Sequence, residues 1–154
     1  MSWKTTTAIL AGLAAAAAMS EARAKEVTQA EVPAAVLQAV AAAYPGARLT
    51  GFERESRDGD VVYEIGIDQG GKTADVSVTA GGFLVEEEML IDSGALPAAV
   101  QHALAASAYG TRRVLKVERI SRMASPDAPE FEVSVQDGAK KRVLVFTAAG
   151  ELEE

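Results

Sequence analysis

The chain contains two patterns of apolar residues, and each pattern occurs twice. In Val32–Gly46, apolar residues such as Val36 and Val40 recur at three- and four-residue spacing, which predicts a short amphipathic helix. Pro33 suits the first turn of such a helix, and a Pro-Gly pair ends it. Leu96–Gly110 repeats the arrangement, so we predict a second helix there.

The residues after the first helix alternate between apolar and polar, which predicts strands. Val61–Asp68 alternates strictly, as is typical of an antiparallel strand with one buried and one solvated face. Asp58-Gly59 is a strong two-residue hairpin signal. The four predicted strands are Arg48–Arg57, Val61–Asp68, Lys72–Thr79 and Phe83 to about Ile91.

The second half of the chain repeats the first. Pro33-Ala-Ala-Val36 recurs as Pro97-Ala-Ala-Val100, and Tyr63-Glu-Ile65 recurs as Phe131-Glu-Val133. The second copy has a longer first hairpin, Met123–Pro129. We therefore predict an α+β fold built as a tandem repeat, with units at about 32–91 and 95–154. Each unit would be one helix plus a four-stranded antiparallel meander, with the helices packed on one sheet face. Whether the two units share one sheet stays open at this point.

Positions that are apolar in both copies predict the core. Burial of each large aliphatic side chain contributes about 1.5–3 kcal/mol, so these residues would supply the main driving force. The predicted core pairs are Val36/Val100, Val40/Leu104, Phe52/Val117, Ile65/Val133, Ile67/Val135, Val76/Leu144, Val78/Phe146 and Leu84/Leu152.

The first residues have the layout of a secretory signal peptide. A short basic start is followed by the uncharged run Thr7–Ala18 and by Ala22-Arg-Ala24, which predicts cleavage after Ala24. The apolar run is shorter than the roughly 20 residues that span a bilayer. We therefore expect a signal peptide at 1–24 and a periplasmic or secreted domain at 25–154, with no stable membrane span after processing.

Charge and cysteine content narrow the function classes. The chain has 15 basic and 22 acidic residues, a net charge of −7, and such a surface repels phosphate backbones and anionic lipid. Nucleic acid is therefore not expected as a partner. The chain has no cysteine, so disulfides do not contribute to its stability.

Catalytic and metal-binding patterns are missing from the sequence. His102 is the only histidine, and one histidine without cysteine cannot build a typical zinc site. No serine lies in a Gly-x-Ser-x-Gly turn. Glu86-Glu-Glu88 with Asp92 could attract a hard cation, but successive strand side chains point to opposite faces. We predict no enzyme activity, no metal site and no cofactor.

The solvated face of the sheet is the candidate partner-binding site. In the first half it would carry Glu53, Glu55, Glu64 and Asp75, and in the second half Glu118, Ile120, Glu132, Val143 and Val145. One half is thus acidic, whereas the other places three apolar residues where water is expected. An apolar patch on an open face often marks a contact surface. The alternative is that the Met123–Pro129 loop or the chain end covers it.

The motifs resemble those of the PepSY-like group, the putative β-lactamase-inhibitor-like family. The resemblance rests on Val32-Pro-Ala-Ala-Val36, Tyr44-Pro-Gly-Ala47, Tyr63-Glu-Ile65 and Thr79-Ala-Gly-Gly-Phe-Leu84. The second copy departs from the pattern, with Ala108-Tyr109 in place of Tyr-Pro. The resemblance implies an exported, non-catalytic module that binds or inhibits an envelope or extracellular protein. The alternative from the residues is an envelope sensor of a small ligand or cation that uses the acidic half.

Overall fold

A computed structural model describes residues 24–57 and 59–153 as two helices and one antiparallel sheet. The predicted signal peptide, apart from Ala24, lies outside the described residues. The strands are β1 (Lys25–Glu26), β2 (Arg48–Arg57), β3 (Asp60–Gln69), β4 (Lys72–Thr79), β5 (Leu84–Leu90), β6 (Arg113–Arg122), β7 (Glu130–Asp137), β8 (Lys140–Thr147) and β9 (Leu152–Glu153). The helices are α1 (Ala34–Ala43) and α2 (Ala98–Ala106), each preceded by a short 3-10 helix, Gln29–Glu31 or Ser93–Ala95.

The nine strands of the described residues form one sheet in sequence order. The two halves meet where β5 pairs with β6, from Glu86 opposite Arg122 to Leu90 opposite Glu118. The question that the sequence left open is thus answered, because both halves share a continuous sheet. β1 adds an edge strand that was not predicted, and β9 has only two residues. The division into two equal four-stranded meanders stays a prediction.

The two helices begin alike and end differently. Pro33 and Pro97 occupy the N-cap positions, with φ of −57° and −54°. α1 ends where the Tyr44 N–H donates to the Val40 carbonyl, just before Pro45-Gly46. α2 lacks that Pro-Gly stop, and there the Ser107 hydroxyl donates to the Leu104 carbonyl at 2.7 Å. A serine hydroxyl thus satisfies a carbonyl at the end of α2.

A glycine turn packs against the start of each helix. Gly82 and Gly150 have φ of +86° and +84°, a region that favours glycine. A Cβ at Gly82 would lie 2.8 Å from the Ala35 carbonyl oxygen, and one at Gly150 would lie 2.5 Å from that of Ala99. The repeated Thr-Ala-x-Gly motif therefore lets the last turn of each half approach its helix closely.

Both helices cover the same sheet face, and the core lies beneath them in two clusters. Of the predicted core pairs, seven are buried in at least one member, and five are buried in both: Val36/Val100, Ile65/Val133, Ile67/Val135, Val76/Leu144 and Val78/Phe146. Phe52, Leu84 and Leu104 are only partly buried. The prediction for Leu152 is wrong, because it is 44% exposed on the two-residue edge strand β9. No helix among the described residues is long and apolar enough to cross a membrane.

Candidate partner-binding face

The sheet face opposite the helices carries the polar side chains, and we call it the open face. Residues directly opposite each other on neighbouring strands point to the same side of a sheet. The register therefore places on it two rows that cross the junction of the halves. One row is Glu53, Glu64, Ser77, Glu86 and Arg122, and the next is Asp75, Glu88, Ile120 and Glu130.

The nine residues predicted for the solvated, partner-binding face all lie on the open face. Glu53, Glu55, Glu64 and Asp75 come from β2 to β4, and Glu118, Ile120, Glu132, Val143 and Val145 from β6 to β8. Val143 is 40% exposed, and Val145 is half-buried. Ile120, which was expected to face water, is only 5% exposed and lies between Glu88 and Glu130 on the neighbouring strands. The apolar patch is therefore smaller than the sequence suggested, and its binding role stays a prediction.

Acidic side chains oppose each other across the strands of this face. The register pairs Glu53 with Glu64, Asp75 with Glu88, and Glu118 with Glu132. Like charges directly opposite each other on adjacent strands destabilise a sheet. The carboxylates of the open face therefore repel each other, and this repulsion does not stabilise the fold.

Two arginines offset part of this negative charge. Arg57 lies 2.6 Å from Glu55 and 2.9 Å from Glu86, measured between guanidinium nitrogen and carboxylate oxygen. Arg122 lies 3.0 Å from Glu86 on its other oxygen and also pairs with Glu130. Glu86, from the first half, is thus held between an arginine of each half, and this ion-pair chain crosses the junction.

Other carboxylates of the face are compensated less, since Glu64 lies 3.7 Å from Arg57 and Asp75, Glu88 and Glu132 have no ion pair among the described residues. Burial, together with the nearby charges of Asp75 and other acidic groups, raises the pKa of Glu64 to about 7. Burial and the neighbouring Glu86, Glu64 and Glu118 raise the pKa of Glu88 to about 8. Burial and Glu118 likewise raise the pKa values of Asp75 and Glu132. The open face therefore retains protons at pH values where ordinary carboxylates are ionised.

Sequence reasoning missed Glu86 and Glu88 as part of the partner-binding face, because it considered them only as possible cation ligands. Both lie on the open face, whereas Glu87 points to the helix side and accepts a hydrogen bond from the Tyr44 hydroxyl at 2.5 Å. The signal was the two-residue alternation itself, which continues from β4 into β5. Arg57 and Arg122 were also missed, because a cross-strand ion pair becomes visible only once the register is known.

The acidic residues Glu86, Glu88 and Asp92 and the single histidine His102 lie at separate places in the fold. Asp92 is exposed before the 3-10 helix Ser93–Ala95 and does not join Glu86 and Glu88. Among the described residues, no group of three acidic, histidine or cysteine side chains is arranged to hold a metal ion. His102 is exposed on α2, on a different side of the fold from the open face.

An open cleft of about 620 Å³ lies at one end of the junction between the halves. Its walls include the ends of β5 and β6, with Leu90 and Leu115 exposed at its rim. Asp92, Lys72 and Lys116 are the charged residues in its lining. None of the opposed carboxylates of the open face lines this cleft.

The family model described as "Putative beta-lactamase-inhibitor-like, PepSY-like" matches the chain twice, at residues 17–86 and 79–153. The chain belongs to this family. Two matches of one model along a single chain also support the internal repeat. A comparison with curated proteins finds no match.

Solved structures resemble the PepSY-like chain over most of its length. A BLIP-like protein from Bacteroides fragilis is 29% identical, with a TM-score of 0.62, and the match covers 79% of this chain and 84% of that one. A protein from Bacteroides eggerthii, described among "putative periplasmic proteins", is 24% identical with a TM-score of 0.69, over 80% of this chain and 86% of that one. A DUF2874 family protein from Bacteroides uniformis is 24% identical with a TM-score of 0.67, over 79% and 86%. The latter two likenesses concern the fold alone.

Proposed function

We propose that this PepSY-like protein is an exported, non-catalytic module of the periplasm that binds a partner protein through its open face, as a binding or inhibitory module. The observation that carries the proposal is the asymmetry of the sheet. Both helices pack on one face, and no described element packs on the other. A broad face that crosses both halves is thus left available for a partner.

Family membership supports the proposal in general terms. The family description and the BLIP-like neighbour both name an inhibitor-like fold. The signal-peptide layout of residues 1–24 supports export to the periplasm.

The test is co-purification with the tagged full-length chain from cells that export it, with wild type compared with Asp75→Lys. This substitution replaces a carboxylate opposite Glu88 by a cation, so the variant should fold while the charge of the open face changes. A partner that binds this face should be lost with Asp75→Lys. Phe83→Asp, at a turn residue that is 74% exposed, is the control and should retain the partner.

The apolar edge of the open face provides a second variant. Val143→Asp with Val145→Asp places two charges on β8 beside the acidic pair Glu118 and Glu132. The proposal fails if both open-face variants are folded by circular dichroism and retain every wild-type partner.

Cation sensing by the acidic half remains the alternative function. Carboxylates suit hard cations such as Ca²⁺, which takes six to eight oxygen ligands. The described residues contain no converging group of three, which favours the protein-binding proposal. Thermal unfolding with Ca²⁺, Mg²⁺ and Mn²⁺ separates the two, since a sensor should be stabilised by micromolar cation.

A further inference from the structure

The chemistry of a partner can be inferred from the charges that the open face leaves unmatched. Among the described residues, the cations Arg57, Lys116 and Arg122 are paired with Glu55, Glu86, Glu118 or Glu130, within 4 Å. Asp75, Glu88 and Glu132 have no lysine or arginine of the described residues within that distance. These three basic side chains are thus occupied, whereas Asp75, Glu88 and Glu132 keep charges that no ion pair among the described residues neutralises, as does Glu53 on the outer strand β2. Lys141 on β8 acts on Glu132 only from beyond ion-pair distance.

These three carboxylates are spread across the sheet. Asp75 is on β4, Glu88 on β5 and Glu132 on β7, so they extend over about 14 Å, or three strand spacings of about 4.8 Å. A single ion cannot contact carboxylates so far apart, whereas several basic side chains of one polypeptide can. In the same region, Glu130 pairs with Arg122 through one oxygen while its buried Oε2 accepts no hydrogen bond from the described residues.

We propose that the open face binds a partner segment rich in lysine and arginine, and that the face releases this segment as its carboxylates take up protons. The inference rests on the proposed protein-binding function and adds the chemistry of the partner. Charge complementarity is the argument, because a basic segment would replace three opposed acid pairs by attractive contacts. Protonation removes the same negative charge and therefore competes with the partner.

The groups around the two central carboxylates set the pH range of this competition. The acidic groups that face Glu88 are Asp75 of β4, Glu118 of β6, Glu64 of β3, Glu132 of β7 and Glu86 of its own strand. The basic groups are Lys116 and Arg122 of β6, and the uncharged neighbours are Ser77 of β4 and Ile120 of β6. Glu64 is faced by Glu53, Glu55 and Arg57 of β2 and by Asp75 and Ser77 of β4. Acidic groups predominate around both side chains. The pKa values of Glu88, about 8, and of Glu64, about 7, therefore lie within the pH range of natural environments.

The test measures how tightly fluorescently labelled decalysine binds to the protein as it is after export. Asp75→Asn with Glu88→Gln and Glu132→Gln removes three unmatched carboxylates and relieves repulsion, so this face variant should remain folded. The matched control removes three exposed charges that lie off the face, with Asp92→Asn, Asp127→Asn and Glu151→Gln. Both variants have the same net charge, so they differ only in where that charge is lost.

We expect the face variant to bind decalysine about tenfold more weakly than wild type at pH 8.5, and the control to change less than twofold, since each exposed ion pair contributes about 0.2–1 kcal/mol. At constant ionic strength, wild-type affinity should fall about tenfold from pH 8.5 to pH 6, where lysine stays fully charged. The face variant should show a much smaller pH dependence.

Equal weakening by both variants would mean that net charge alone attracts the probe, and this would overturn the inference. A wild-type affinity that is unchanged between pH 8.5 and pH 6 would overturn the proton-linked release. A physiological partner that is lost with Asp75→Lys but contacts the face with a neutral or acidic surface would refute the basic segment and leave the proposed function intact. The proposed function itself fails only if open-face variants keep all partners.

Discussion

Replacing Glu88 by glutamine should stabilise the protein at pH 8 and have little effect at pH 5. The neutral amide has nearly the shape of the carboxyl group but lacks the charge that faces Asp75 across β4 and β5. Burial and the neighbouring carboxylates raise the pKa of Glu88 from 4.5 to about 8. The folded state thus holds this proton more tightly than the unfolded chain does. Ionisation of Glu88 therefore lowers the free energy of unfolding progressively as pH rises from about 4.5 to about 8.

The expected gain follows from that difference. A rise in the pKa of Glu88 from 4.5 to about 8 corresponds to a ceiling of about 5 kcal/mol in the free energy of unfolding. Glu88 is only partly buried, so water and salt screen the repulsion. After this discount we expect Glu88→Gln to gain about 1–2 kcal/mol at pH 8. With a typical urea dependence, the midpoint of unfolding would move upward by about 0.5–1 M.

The matched control lies two residues away on the same strand and face. Glu86 is paired with Arg57 at 2.9 Å and with Arg122 at 3.0 Å, so Glu86→Gln removes one carboxylate partner from each arginine and leaves them only Glu55 and Glu130 as close partners. We expect it to destabilise by about 1–3 kcal/mol at pH 8, the opposite sign to Glu88→Gln. The assay is urea unfolding by circular dichroism at pH 5 and pH 8. The reasoning is refuted if Glu88→Gln is neutral or destabilising at pH 8, or gains as much at pH 5.

Three further measurements follow from the same structure. The free energy of unfolding of the wild type should fall by about 1–2 kcal/mol between pH 5 and pH 8, because the pKa values of Glu64 and Glu88 are raised on folding. A rise over this range would contradict the raised pKa values. Gly82→Ala should destabilise by about 2–3 kcal/mol, since its Cβ would meet the Ala35 carbonyl, whereas Gly70→Ala, with a similar positive φ but open space, should lose only about 1 kcal/mol. Equal losses would show that the close approach has no energetic role. Tyr44→Phe should lose about 1 kcal/mol with its hydrogen bond to Glu87, measured by thermal unfolding, and a neutral result would show that water replaces the bond.

Much of the fold could be predicted because local signals agree with tertiary packing. Arg48–Arg57 and Lys72–Thr79 are strands with the predicted bounds, since a two-residue alternation between turn residues leaves few other structures. Comparison of the two copies identified the core at Ile65/Val133, where both residues are fully buried. The same comparison failed for Leu152, because an apolar residue in a two-residue edge strand receives no cover from a further strand.

The candidate site was only half predictable, for a physical reason. Strand alternation places Glu64 and Asp75 on one face without any knowledge of the neighbouring strands. The opposition of Asp75 and Glu88, by contrast, depends on the register of β4 and β5, which shifts by a bulge between Ser77 and Val78. Ion pairs such as Arg57 with Glu86 join residues of non-adjacent strands, and no local pattern encodes them.

The two copies differ on the open face, and this difference bears on how the proposed partner would be bound. Equivalent positions under the helices stay apolar, whereas equivalent positions on the open face change in kind. The helix-side pairs are Ile65/Val133 and Val76/Leu144, and the open-face pairs are Asp75/Val143 and Ser77/Val145. A partner with two identical contacts would need two similar surfaces, one on each half. An acidic first half joined to a second half with an exposed Val143 instead fits one asymmetric partner that places basic side chains over β4 and β5 and an apolar group near β8.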